Sequence, residues 1–170
     1  MFGDTVYVNM DKNQRNFNSL NDIYQKIREI FSNFKLQSDV PIEKVIQIYS
    51  NDNNLLKEIS VIEDSLSEIA DILAQIGNKE LFYFLSIRHM IGYILKDVKL
   101  FIIYMPFVDN LLINFFKFIH SKLIGDNDYE ENDEIFADFL EEQKDYFYDN
   151  IFEYTGEYED LMIEVTNILW

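Results

Sequence analysis

The sequence predicts an all-α fold: a single-domain helical bundle of about six to seven helices with a buried central helical hairpin. Apolar side chains recur at three- and four-residue intervals along most of the chain. Strand-like alternation is confined to Thr5–Val8, and glycine and proline occur singly between the periodic stretches. With 170 residues, 48% of them hydrophobic, the chain suits one domain with one core, 1–170, and lies far from the composition of disordered proteins.

The N-terminal arm, 1–18, is polar and mixed, and Thr5–Val8 reads as a short strand or a packed arm. Ser19, followed three residues later by Asp22, resembles a helix cap. Leu20, Ile23, Tyr24, Ile27, Ile30, Phe31 and Phe34 then recur at helical spacing. Asp39 and Pro41 mark the entrance to a short helix with Ile42, Val45, Ile46 and Tyr49 on one side, because proline suits a first helical turn.

The polar cluster Ser50–Asn54 breaks that pattern, since such side chains compete for backbone hydrogen bonds. From Leu55 to Ile76 apolar residues keep a spacing near 3.5, and Gly77 is expected to supply the left-handed residue after the helix end. This stripe fits a bundle or, in the alternative, a homodimer through Leu55–Ile76.

Leu81–Met105 carries apolar residues on all faces, as a helix surrounded by others does, and Pro106 is expected to open a new helix that stops at Gly125. Charged residues such as Arg88, Lys96, Asp97, Lys99, Asp109 and Lys117 interrupt this region before an apolar run reaches the roughly 18–20 residues of a membrane span, so it reads as core. A loop over Asp126–Asn132, a helix from Ile135 ending near Gly156, and a last helix with Tyr158, Leu161, Met162, Val165, Ile168 and Leu169 on one side complete the chain. A central apolar hairpin wrapped by amphipathic helices resembles the Bcl-2-like arrangement in architecture. That family's Asn-Trp-Gly-Arg signature is absent here, where the sole tryptophan is Trp170.

The net charge is −17, and it is unevenly placed. Residues 126–170 hold 16 of the 31 acidic residues and a single base, Lys144, whereas the first 125 are nearly balanced. Because these carboxylates share helices with good apolar stripes, they are expected to form a folded acidic surface. Such a charge disfavours direct contact with nucleic acid or an anionic membrane and favours a basic partner.

Along one helix Asp138, Glu141, Glu142, Asp145 and Asp149 stand three and four residues apart, where like charges repel by a few tenths of a kcal/mol per pair. One explanation is a solvated face that keeps the protein soluble. The other is a docking surface for a protein with Lys- and Arg-lined channels, built from Glu130, Glu131, Glu134, Asp138, Glu141, Glu142, Asp145 and Asp149 with Tyr129 and Tyr148 as anchors. Tyr146, Tyr154 and Tyr158 are further candidate anchors in the same acidic part, the alternative being that some of these tyrosines belong to the core or its rim.

Catalytic signatures are lacking. Asp126, Asp128 and Glu130 alternate like calcium-loop ligands, but Glu131 stands where that loop needs glycine and Ala137 where it needs glutamate. His89 and His120 have no His or Glu partner at metal-site spacing, and the five glycines never cluster into a phosphate loop. No cysteine is present to act as nucleophile or thiolate ligand, and its absence suits a reducing, cytoplasmic setting. The sequence-level expectation is therefore a non-enzymatic inhibitor without metal or cofactor. Its acidic face would dock on a basic, nucleic-acid-handling protein, as an anti-CRISPR factor, DNA mimic or toxin-immunity protein does. The alternative is a helical module that binds partner helices in an apolar groove around Leu81–Leu123.

Overall fold

The computed structural model describes residues 2–33, 44, 47, 53–125 and 129–152, and the side chains of 12–33, 44, 47, 54–125 and 131–152. The protein is all-α, and five α-helices lie among the described residues: α1 (Phe2–Asn33), α2 (Asn53–Ala74), α3 (Asn78–Leu95), α4 (Val98–Leu123) and α5 (Tyr129–Tyr146). A six-residue π-helical turn, Phe147–Phe152, continues α5. Of the helix expected over 42–49 only Lys44 and Gln47 are described, and both are helical; the helix expected over 158–169 and the helix end near Gly156 lie outside the described residues.

Helix α4 occupies the middle. It packs against α1, α3 and α5, while α2 closes the other side of the bundle against α1 and α3. By length and apolar content α4 would also pass as a membrane span. Its apolar side chains are covered by neighbours instead: Phe101, Val108, Leu111, Leu112, Phe115 and Ile119 are all fully buried. Aromatic rings make much of this contact, with Phe115 touching Phe84 of α3 at 5.2 Å between centroids and Tyr24 of α1 stacked on Phe116 at 4.3 Å.

Several boundaries differ from those the sequence predicts. Residues 5–8 belong to α1, and Ser19 lies inside that helix instead of capping it. A lone four-residue strand would need a partner strand for its backbone groups, whereas a helix satisfies them internally. Upstream of Ser19 the helix carries Phe17, whose ring meets His120 edge-on at 5.0 Å, so the helix stays useful to the bundle well before Leu20.

The break between α3 and α4 falls at Lys96–Asp97, and Pro106 lies within α4. Asp97 starts the helix because its carboxylate accepts a hydrogen bond from the Lys99 N–H at 2.8 Å, satisfying one of the amides a first turn leaves unpaired. Proline costs α4 one internal hydrogen bond. Buried side chains on both sides of it, Ile102 and Met105 before and Val108 after, hold the helix together.

The regular stripe of α2 faces inward: Leu55, Ile59, Ile62, Leu66, Ile69 and Leu73 are buried in the bundle. After α2, Gly77 is extended (φ 179) and not left-handed; it is the residue that precedes α3. The left-handed turn occurs at Gly125 (φ 88), just beyond α4, where a residue without Cβ is favoured. Three residues into α3, Glu80 is almost wholly buried and ion-paired with Lys122 of α4, which ties the start of one helix to the end of the other.

Gly77 is where this ion pair meets the backbone. A Cβ there would run into the Glu80 carboxylate and come within 3.1 Å of the Lys122 ammonium. At an open extended position, alanine for glycine normally stabilises. Here Gly77→Ala is expected to cost about 1–3 kcal/mol through overpacking, read as a lower urea midpoint with an unchanged slope.

Candidate docking face

Helix α5 carries the acidic run, and its inward side explains how that run is held. Phe136 stacks on Phe118 of α4 at 4.9 Å with rings nearly parallel, and Leu140, Phe147 and Ile151 continue the buried stripe. The polar contacts sit at the start of the helix. Asn132 donates to the Ser121 hydroxyl of α4 at 2.7 Å, and Lys79 of α3 is ion-paired with Asp133. Tyr83 of α3 stands beside the same carboxylate and packs its ring against Phe136 at 5.4 Å. Asn132, Asp133 and Phe136 thereby fix the rotation of α5 against α3 and α4, and with it the side chains that face solvent.

Most of those outward side chains are carboxylates, although Ile135 is also exposed. Glu131, Glu134, Asp138, Glu141, Glu142 and Asp145 of α5 and Asp149 of the π turn are all exposed. Lys144, the one base of this segment, reaches Glu141 at 3.5 Å. Tyr148 is 45% exposed, while Tyr146, also half exposed, stacks on Phe107 of α4 at 5.4 Å. Tyr129 lies at the first position of α5, in what the sequence reads as loop, and Glu130 follows it; their side chains, like Tyr154 and Tyr158 altogether, fall outside the described residues.

The helix also bears on the rejected calcium loop, because 129–137 are helical and not looped. Among the described residues no three His, Asp or Glu side chains converge as a metal set. Both histidines are exposed, His120 against the Phe17 ring and His89 on the surface of α3.

Two features escape the sequence reading. Asp133 and Glu80 are buried carboxylates, and both occupy positions on apolar stripes: Asp133 with Phe136 and Leu140, Glu80 with Phe84 and Ile87. An acid on the buried side of a helix signals a cationic partner elsewhere in the fold. The second feature is that the described residues do not cover α3 all round, since Phe82 is 64% exposed and Leu85 44%. The chain matches no known family model, no curated protein and no solved structure.

The polar cluster at α5 is expected to make the protein sensitive to alkali. Burial, then the Asp133 charge, push the Tyr83 phenol above its ordinary range, and the bond to Asp133 raises Lys79 as well. Burial and then Asp109 raise Tyr24, against the opposing charge of Arg28. A group whose pKa is raised on folding contributes stability that is complete below its unfolded value and lost as pH climbs through the folded one. Urea midpoints should therefore fall as pH rises beyond about 10. Tyr24→Phe and Tyr83→Phe should each flatten that fall, and an unchanged slope in both variants would rule out this origin.

Proposed function

We propose that the protein is a non-enzymatic, cytoplasmic inhibitor or neutralising partner whose acidic helix docks on a basic, nucleic-acid-handling protein, in the manner of an anti-CRISPR factor, a DNA mimic or a toxin-immunity protein. The observation that carries this reading is the row of exposed carboxylates on one firmly seated helix. Glu131 to Asp145 covers about 21 Å of helix axis. Six carboxylates in that length give about one charge per 4 Å, close to the 3.4 Å per charge along one strand of DNA. A channel lined to accept a nucleic-acid strand would meet a similar charge density here, offered by side chains that need little rearrangement.

Energetics support the reading. Carboxylates at i, i+3 and i+4 repel, and one lysine offsets little of that cost. A basic partner would remove the repulsion on binding. Tyr148 at the edge of the row is the type of residue that anchors interfaces. In this reading the scaffold is a bundle of six to seven helices around a central α3–α4 hairpin, which gives the acidic row a rigid backing.

The test is capture of host or source proteins on the immobilised chain, eluted by rising salt. A basic nucleic-acid-binding protein released at moderate salt is the expected result, because such docking weakens with ionic strength. The variant with Glu134, Asp138, Glu141 and Asp145 all changed to Lys should lose that partner. Equal retention on the variant would sink the acidic-face reading.

A further inference from the structure

Helix α3 carries its exposed apolar side chains on one side: Phe82 is 64% exposed and Leu85 44%, with exposed His89 four residues on. A groove runs along each edge of this strip. The one against α2 holds about 650 Å³ and is lined by Arg88, Tyr93 and Lys96 of α3 and by Glu63 and Asp64 of α2. The one against the end of α5 holds about 530 Å³ and is lined by Phe82, Leu85, Met90 and Tyr148, with Lys144 and, among the described residues, no carboxylate. Bases therefore outnumber acids along the strip, Arg88, Lys96 and Lys144 against Glu63 and Asp64, in a chain whose net charge is −17.

The described residues end beside this strip. Helix α5 runs parallel to α3, since Phe136 meets Tyr83 at 5.4 Å and Phe147 meets Tyr93 at 5.6 Å. The π turn then sets the Phe152 ring 5.3 Å from Tyr93, at the end of the strip away from Phe82. Residues 153–170 follow, with an apolar set at helical spacing, Tyr158, Leu161, Met162, Val165, Ile168 and Leu169, and with five acids and no base. Length agrees as well. Tyr158 to Leu169 and Phe82 to Tyr93 are equal steps in the sequence, about 16.5 Å of helix axis each. The linker 153–157 reaches about 17 Å when extended, enough to reverse direction. On such a helix Glu157 and Glu164 share one margin of the apolar stripe, about 10 Å apart along the axis. In a helix antiparallel to α3 that margin lies toward α2, where Lys96 and Arg88 are spaced by about 12 Å along α3.

We infer that residues 158–169 of this chain seat as a helix on the exposed strip of α3, antiparallel to it. Val165 and Leu169 then cover Leu85 and Phe82, while Glu164 and Glu157 face Arg88 and Lys96. This seating stands apart from the acidic-face reading, whose carboxylates line neither groove. A second copy of the chain competes poorly for the same strip. A segment held by so short a linker acts at an effective concentration near millimolar, and a second copy brings its own net charge of −17.

The chain has no cysteine, so single introduced thiols report directly on cover. Labelling of Leu85→Cys by a thiol reagent is compared with labelling of the same variant that also carries Leu161→Asn, Val165→Asn and Leu169→Asn, both at full length and checked for native helicity. The natural stripe should slow labelling at least about tenfold. Equal rates overturn the inference: both fast means that the strip is bare, both slow that something other than this stripe covers it. Protection that disappears on dilution assigns the strip to a second copy and likewise overturns the proposal. Direction is read from paired cysteines under mild oxidation. Phe82→Cys should bridge within one chain to Leu169→Cys and not to Tyr158→Cys; preference for Tyr158→Cys, or no bridge to either, overturns the antiparallel seating.

Discussion

The apolar surface of α4 is the constraint from which the rest of the bundle follows. A helix with buried side chains at Phe101, Ile102, Val108, Leu112, Phe115, Phe116 and Ile119 cannot be covered by one neighbour, because those positions point in different directions around its axis. Three helices are placed against it. Phe115 and Phe118 are the hinge points of that arrangement, since the Phe136 ring of α5 rests on both and Phe84 of α3 meets the first. The acidic helix is thus a structural member with a chemically opposite outer side.

This double role accounts for the polar contacts at the start of α5. Rings alone tolerate sliding and small rotations. The Asp133 carboxylate, ion-paired with Lys79, and the Asn132–Ser121 bond do not. They set which residues of a strongly charged helix are sacrificed to the interior and which are shown to solvent. Similar logic joins α3 to α4 through Glu80 and Lys122, where Gly77 leaves room for the carboxylate.

Much of the architecture was legible because periodicity is a local property. The stripe Leu55–Leu73 and the set Phe136, Leu140, Phe147 and Ile151 can be read along the chain and are the buried residues of α2, α5 and the π turn. Helix ends were harder. Pro106 looks like a start, and only packing decides that the proline is carried through while Asp97 caps the helix. The pairing of Lys79 with Asp133, 54 residues apart, depends on which helices become neighbours and leaves no mark in local spacing. The same reason hid the exposed side of α3: apolar residues all round a helix suggest complete cover, but among the described residues α2, α4 and α5 leave Phe82 and Leu85 exposed. For the candidate face, the carboxylate run was plain in the sequence, whereas the inward turn of Asp133 required the fold.

The position of α4 in the chain also matters for biosynthesis. Its 26 apolar-rich residues emerge after α1, α2 and α3, so two of its three covering helices, α1 and α3, already exist when it leaves the ribosome. Cover from α5 arrives only later, and until then Phe115 and Phe118 lack the Phe136 ring that rests on them. Among the described residues the last segment to join the core is the one with the densest negative charge, so the nascent chain would gain electrostatic protection against self-association together with cover for an adhesive surface.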